Sequence, residues 1–248
     1  MTAILKNLSP FTVLKEKHGK RRITIMVCSI LLMGFGISVF SFSDLGVDPF
    51  TAMNMAVSAK LGMGLGLYQM LVNGVLLFAV AFFSKKLIGI GTVINMIGVG
   101  YVCEFFTTLY ARYLPAPETF AAQLFLMAMG VVLLSLAASL FFTAALGVGP
   151  YDAAGFVVDE KTKIQYKWCR VITDLICTVI AICFAGPVGI GTIVTAFCMG
   201  PVVSFFNKAV SQKLLYIDFR TVLRLTVRYY DFRKFGAGFV SPNGRFAS

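Results

Sequence analysis

Six long apolar stretches constrain this chain more than any other feature of its sequence. They cover residues 23–42, 67–84, 88–110, 120–144, 168–185 and 188–210. A helix needs about 20 mostly apolar residues to cross the hydrocarbon core of a bilayer, and each stretch meets that length within the usual scatter. With 58% hydrophobic and 13% charged residues, the chain lacks the polar surface of a soluble globule. The sequence therefore predicts an all-α, polytopic membrane protein with six transmembrane helices.

The basic residues lie mainly at the two ends of the chain. The formal net charge is +11, and most Lys and Arg residues fall within residues 1–22 or after residue 207. This distribution is typical of cytoplasmic segments that flank membrane spans and contact anionic lipid headgroups. We therefore expect a basic cytoplasmic tail over 1–22, a basic amphipathic interfacial helix over 211–235 and a disordered tail over 236–248. Nucleic-acid binding is not expected.

An internal duplication divides the apolar part of the chain. LGVDPFTA at 45–52 matches LGVGPYDA at 146–153 with an offset of 101 residues. GIGTVINMIGVGYVCEFF at 89–106 then matches GIGTIVTAFCMGPVVSFF at 189–206 with an offset of 100. Two matches in the same order and at nearly the same spacing indicate two copies of one unit, repeat 1 over 23–113 and repeat 2 over 119–210.

The number of spans per repeat decides whether the second copy is inverted. Two short segments, 49–61 and 150–158, each open with a proline, which favours a helix start. The second is too short to cross a bilayer, so we interpret both as re-entrant or interfacial helices. Three spans per repeat then give inverted repeats with both termini in the cytoplasm. A four-span unit would exchange the charged loops between sides, so charge counting alone does not choose between the two topologies.

The Gly-Pro segments are the first candidate for a functional site. A helix break at membrane depth survives only where protein or water surrounds it, and paired breaks in two repeats mark the binding site of many transporters. The candidate residues there are Asp48, Pro49, Pro150 and Asp152. Free amides at the two helix starts would favour an anionic group. The alternative is that both segments are surface turns leading into interfacial helices.

Polar residues within the apolar stretches extend this candidate site. Arg170 and Asp174 lie four residues apart, so they either bind solute or form a structural ion pair. Gln69 and Asn73 occupy the corresponding positions of repeat 1, and Asn95 corresponds to Thr195. Glu104 and Asp174 are candidates for proton coupling, although Glu104 lies near the membrane edge, where water can solvate it.

Other chemistry finds little support in the sequence. All six cysteines lie in apolar stretches, His18 is the single histidine, and no spacing of metal ligands occurs. The recurring GIGT favours close helix packing over a phosphate loop, because no GK[ST] follows. We expect no metal, no cofactor and no enzymatic activity.

Five motifs carry a family resemblance: LGVDPFTA, GIGTVINMIGVG, LGVGPYDA, WCRVITDL and GIGTIVTAFCMGP. Through them the chain resembles the YczE/YitT-type family of bacterial integral membrane proteins. The resemblance covers residues 23–210. It implies a location in the bacterial plasma membrane and assigns no catalytic role.

The leading hypothesis is a small secondary transporter, or permease, with a site between the repeats. In it, Arg170 meets an anionic group of a small solute, while Asp174 holds the arginine or relays a proton. The alternative is an accessory or scaffold protein that does not transport and acts through the basic C-terminal segment. Homo-oligomers are compatible with both hypotheses.

Overall fold

In the computed structural model, residues 19–84, 87–162 and 166–211 are described, and this part of the chain contains eight α-helices and no strand. The all-α prediction is confirmed. The helices, in chain order, are α1 (Gly19–Phe42), α2 (Pro49–Leu61), α3 (Leu65–Phe83), α4 (Ile90–Tyr113), α5 (Phe120–Ala144), α6 (Pro150–Lys161), α7 (Tyr166–Cys183) and α8 (Ile190–Phe206). A π-helical turn, Asn207–Ser211, follows α8.

Five of the described helices are long and apolar enough to cross a membrane. They are α1, α3, α4, α5 and α8 together with its π-helical turn. The predicted fifth span, 168–185, corresponds to α7, which is 18 residues long and falls outside this group. It falls outside because its first half contains three charged residues, Lys167, Arg170 and Asp174.

Helix starts agree well with the sequence pattern at the two short segments. Both α2 and α6 begin at the predicted prolines, whose fixed φ and missing N–H suit the first position of a helix. At the N-terminal end, the described part of α1 includes Gly19, four residues before the predicted span. Arg22, the last residue of the predicted basic tail, lies in this helix and donates to the carbonyls of Ala144 and Ala145 at 2.9 and 2.7 Å. The predicted interfacial helix and C-terminal tail lie outside the described residues, except for Ser211.

Helices α1 and α5 pack against each other in an antiparallel pair. Gly36 lies against the backbone of Leu134, and Gly130 lies against Phe40. The missing side chains let the two backbones approach closely, as small residues do in membrane helix pairs. Helix α4 packs on α1, and α8 packs on α5.

The short helices are exchanged between the two halves of the sequence. Helix α2 packs mainly against α7, whereas α6 packs against α3. The loops that precede α2 and α6 make reciprocal backbone hydrogen bonds to the loops and helix starts of the other half. In the first loop contact, Gly191 N–H donates to Leu45 O at 2.8 Å and Val47 N–H donates to Pro187 O at 3.1 Å. In the second, Gly91 N–H donates to Leu146 O at 2.8 Å and Val148 N–H donates to Leu87 O at 3.2 Å.

Glycines permit both loop contacts. Gly46 and Gly147 adopt φ values of +91° and +124°, which favour glycine, and a Cβ on either would collide with the backbone of the opposing GIGT glycine. Thr92 Oγ1 accepts the N–H of Gly89 at 3.1 Å, and Thr192 Oγ1 accepts that of Gly189 at 3.2 Å. The predicted close packing of GIGT is confirmed: Gly89 and Gly189 lie against a loop of the other half, and Gly91 and Gly191 also lie against Met26 and Phe40 of α1.

Candidate functional site

The site is built on the N-terminal ends of the two short helices. Asp48 caps α2, since its Oδ1 accepts the N–H of Thr51 at 3.1 Å. Helix α6 has Asp152 in its first turn. Free N–H groups at a helix start carry partial positive charge, which a nearby carboxylate stabilises. Each short helix therefore already has a carboxylate of the protein at its N-terminal end.

The two helix starts meet through their first aromatic residues. The rings of Phe50 and Tyr151 stack with centroids 4.3 Å apart and an interplanar angle of 20°. These residues correspond at the 101-residue offset of the sequence match. Both motifs have an aromatic residue directly after the proline. This shared aromatic is the sequence signal for the contact, which the sequence prediction of the site did not include.

Arg170 lies at the centre of a charged group next to this ring pair. It forms an ion pair with Asp152 and donates from Nε to Asp174 Oδ2 at 3.3 Å. Its guanidinium lies over the ring of Tyr151, with Cζ 4.5 Å from the centroid. Tyr151 donates its hydroxyl hydrogen to Asp174 Oδ1 at 2.6 Å. We refer to Tyr151, Asp152, Arg170 and Asp174 as the Arg170 cluster.

The Arg170 cluster combines three interactions that reinforce one another. A guanidinium forms charge-assisted hydrogen bonds with carboxylates and is also attracted to an aromatic face. The predicted helical ion pair between Arg170 and Asp174 is present. The structure adds Asp152 and Tyr151 from α6, so the pair is part of a connection between two helices.

Asp48 lies two residues before Phe50, whose ring stacks on the Tyr151 ring of the Arg170 cluster. Oδ2 of Asp48 is buried and has no hydrogen-bond partner. A carboxylate oxygen buried without a donor is energetically costly.

The other predicted site residues are distributed over the neighbouring helices. Asn95 lies beside the start of α6, since a Cβ on Gly149 would be 3.3 Å from its Oδ1. Gln69 is buried and lies against Gly100 of α4. Asn73 is only 2% exposed, and its Oδ1 has no hydrogen-bond partner. Pro49 and Pro150, both buried, open the two short helices that carry the cluster.

Glu104 is on α4, and its side chain lies against the start of α3. Its Oε2 accepts the N–H of Gly66 at 2.7 Å, and a Cβ on Gly64 would meet the same carboxylate. Glu104 thus supplies from α4 the acceptor that the first turn of α3 lacks, since the N-cap, Gly64, has no side chain. This contact gives the Glu104 carboxylate a structural role, and its role in proton coupling stays a prediction.

Comparisons with known proteins place the chain among membrane proteins. A family of unknown function, DUF6198, matches residues 20–208. The uncharacterized membrane protein YczE of Bacillus subtilis is 27% identical over 185 residues, which cover 74% of this chain and 84% of the relative. The uncharacterized protein YyaS of the same organism is 28% identical over 189 residues, covering 75% of this chain and 92% of the relative.

A third relative comes from a different bacterium. An uncharacterized protein of Haemophilus influenzae is 22% identical over 192 residues, covering 77% of this chain and 86% of the relative. No solved structure matches the chain significantly. The expected YczE-type resemblance is confirmed, and because the matched region spans most of the sequence, this membrane protein belongs to the DUF6198 family.

Proposed function

We propose that this protein is a small secondary transporter whose solute binds between the two repeats, at Asp48 and the Arg170 cluster. The observation that carries the proposal is the meeting of two proline-initiated short helices, start to start, around four charged residues in a mostly apolar part of the chain. Each charged side chain at membrane depth costs about 2.5–3.5 kcal/mol on insertion scales. A stable fold alone gives no reason to retain several of them, and solute binding does.

The proposed architecture is six spans in two inverted three-helix repeats. Support comes from the antiparallel packing of α1 and α5, which occupy corresponding places in the two repeats. The reciprocal loop contacts and the exchange of α2 and α6 between the halves also follow the pattern of a pseudo-twofold relation. Such a relation places the solute site at the repeat interface and lets the two repeats rock about it.

Helix α7 is the sixth span in this proposal. Its exposed face is apolar and includes Leu175, Val179 and Ile182. Asp174, Cys177 and Ala181 lie on its buried face. Lipid would then contact the apolar face, while the charged residues face the site, as intramembrane charges usually do.

The proposed location is a bacterial plasma membrane, with both termini in the cytoplasm. All three relatives are bacterial. The basic residues at the ends of the chain would contact anionic lipid headgroups there.

Transport is tested with purified protein in proteoliposomes and a panel of small cations, anions and neutral metabolites. Charge movement is recorded on a solid-supported membrane after a rapid increase in solute concentration, and electroneutral transport is followed as counterflow. We expect at least one solute to give a saturable signal that Arg170→Ala abolishes. Arg112→Ala is the matched control, because Arg112 is exposed at the end of α4. Unaltered flux in folded Arg170→Ala protein, or no flux with any solute, contradicts the proposal.

A further inference from the structure

Helix α6 is bonded to the end of α3 at both of its own ends. At its start, the N–H of Val148 donates to Leu87 O at 3.2 Å. At its end, Glu160 Oε2 accepts the hydroxyl hydrogen of Ser84, the C-cap of α3, at 3.1 Å. Apolar side chains of the two segments also pack together, namely those of Val80, Leu87, Ala153 and Val157. Helix α6 is therefore fixed to α3 along most of its length.

Arg22 of α1 holds the loop that leads into α6. It donates from Nε to Ala144 O and from Nη2 to Ala145 O, at the end of α5. A cation is favourable there because the last carbonyls of a helix lack partners within the helix. Two side chains from the first half of the sequence, those of Arg22 and Ser84, thus hold residues 145–160, which we refer to as the lid segment.

The corresponding segment of the first half, 44–59, is held differently. At the 101-residue offset, Gln123 of α5 takes the place of Arg22. It donates from Nε2 to Pro117 O at 3.3 Å, in the loop before its own helix. The side-chain bond from α1 to the end of α5 thus has no equivalent from Gln123.

The bond between Ser84 and Glu160 cannot be formed at the corresponding place either. The residues there have no hydrogen-bonding side chain: Ala59 stands for Glu160, and Ala185 or Phe184 stands for Ser84, at offsets of 101 and 100. Helix α2 packs closely against the loop after α7 instead, where a Cβ on Gly186 would lie 2.6 Å from the Cβ of Ala56. The two ends of the repeat interface are therefore closed by different means, side-chain hydrogen bonds at the lid segment and close packing of small residues at its counterpart.

We propose that the lid segment closes the path to the Arg170 cluster from its own end of the protein, and that Arg22 and Glu160 are its latch. Tyr151 and Asp152 of the cluster lie in the first turn of α6, so movement of the lid segment would open the cluster to that side. Side-chain hydrogen bonds suit a latch, because water replaces both partners when the bond breaks. The inference rests on the proposed function, which requires that a solute reach the cluster.

The test uses a native cysteine beside the cluster and needs no solute. Cys177 is buried, and its Sγ lies 3.8 Å from the hydroxyl of Tyr151. The rate at which an impermeant methanethiosulfonate modifies Cys177 is measured in sealed right-side-out and inside-out vesicles. Mass spectrometry of the peptide that contains Cys177 gives the rate, so the other cysteines stay in place. Lys161→Cys, next to Glu160, shows which vesicles expose the end that carries the lid segment.

Glu160→Ala and Arg22→Gln each install the residue of the other half. We expect each to raise the modification rate of Cys177 at least about threefold, and the double variant at least about tenfold. The rise should occur only from the side that modifies Lys161→Cys. Glu160→Gln keeps an acceptor for the Ser84 hydroxyl and should raise the rate less than Glu160→Ala. Glu118→Ala removes a carboxylate at an exposed position and should leave the rate unchanged.

Three outcomes would overturn the inference. These are an unchanged rate in the double variant, a rise only from the opposite side, or an equal rise from both sides, which would indicate a general loosening of the fold. If the latch variants act as expected and no solute is transported, the lid assignment stands and the transport proposal fails. If transport depends on Arg170 while the double variant reacts like the wild type, the transport proposal stands and the lid assignment fails.

Discussion

Arg170 neutralises more than one carboxylate, and this decides what its loss should do. It pairs with Asp152 and Asp174. Removing one partner of a fully buried ion pair costs about 3–5 kcal/mol, mainly because the remaining charge is uncompensated. The side chains of Arg170 and Asp152 are 29% and 26% exposed, so solvent reduces that cost.

We predict that Arg170→Met lowers the free energy of unfolding by roughly 2 kcal/mol, and that adding Asp152→Asn restores part of this loss. Arg170→Lys should fall between the wild type and Arg170→Met, because lysine keeps the charge and lacks the planar fork. The measurement is reversible or kinetic unfolding in detergent. Arg112→Met, at an exposed position, should change stability by less than about 0.5 kcal/mol. Equal losses in the single and double variants would show that charge compensation is not the role of Arg170.

At the residue scale, the sequence could predict those contacts that follow from helical spacing. Arg170 and Asp174 are four apart, so their pairing followed from the sequence alone. The hydroxyl of Tyr151 and the ion pair with Asp152 join α6 to α7, and their geometry depends on how two separate helices pack. The sequence shows Glu104 to be an unusual carboxylate in an apolar stretch, but its bond to the Gly66 N–H depends on the packing of α3 on α4.

At the scale of elements, the loop contacts depend on glycines with no space for a side chain. Gly46 and Gly147 combine positive φ with direct backbone contact to Gly189 and Gly89. An L-residue in that conformation costs about 1–2 kcal/mol, and forcing atoms into a packed contact typically adds 1–3 kcal/mol. Both loops hold the start of a short helix against the other half of the protein.

We predict that Gly46→Ala and Gly147→Ala each destabilise the protein by about 3 kcal/mol, which corresponds to a fall in Tm of roughly 5–10 °C. Gly74→Ala is the matched control, because Gly74 lies in α3 with no atom within 4 Å of a Cβ placed there. Its Tm should stay the same or rise slightly, since alanine has the higher helix propensity. The measurement is thermal unfolding of the three variants in one detergent. Equal Tm values for the two loop variants and the Gly74→Ala control would contradict this account of the loop contacts.

The helices themselves were largely predictable, and their partners were not. Apolar length predicts the five candidate spans to within a few residues, and the prolines mark the starts of α2 and α6. Helix α7 falls outside this group because its 18 residues include three charged ones, although its exposed face is apolar. No local pattern indicates that α2 packs on α7, since that contact joins residues far apart in the chain.

At the scale of the whole molecule, the transport proposal depends on the relative orientation of the two repeats. Lys60 and Lys161 lie at the ends of the two short helices, are exposed and correspond at the 101-residue offset. Inverted three-span repeats place them on opposite sides of the membrane. Four-span repeats, which repeat the same orientation, place both on one side.

We predict that Lys60→Cys reacts with an impermeant maleimide added to intact spheroplasts, whereas Lys161→Cys reacts only after permeabilisation. The physical reason is that an odd number of crossings separates the two positions, and an N-terminus inside puts Lys161 in the cytoplasm. Each variant is made in a chain whose exposed native cysteines, Cys28, Cys183 and Cys198, are replaced by serine. Gel-shift labelling of both variants before and after permeabilisation gives the result. Labelling of both from the same side would exclude inverted repeats and remove the interface at which the solute site is proposed.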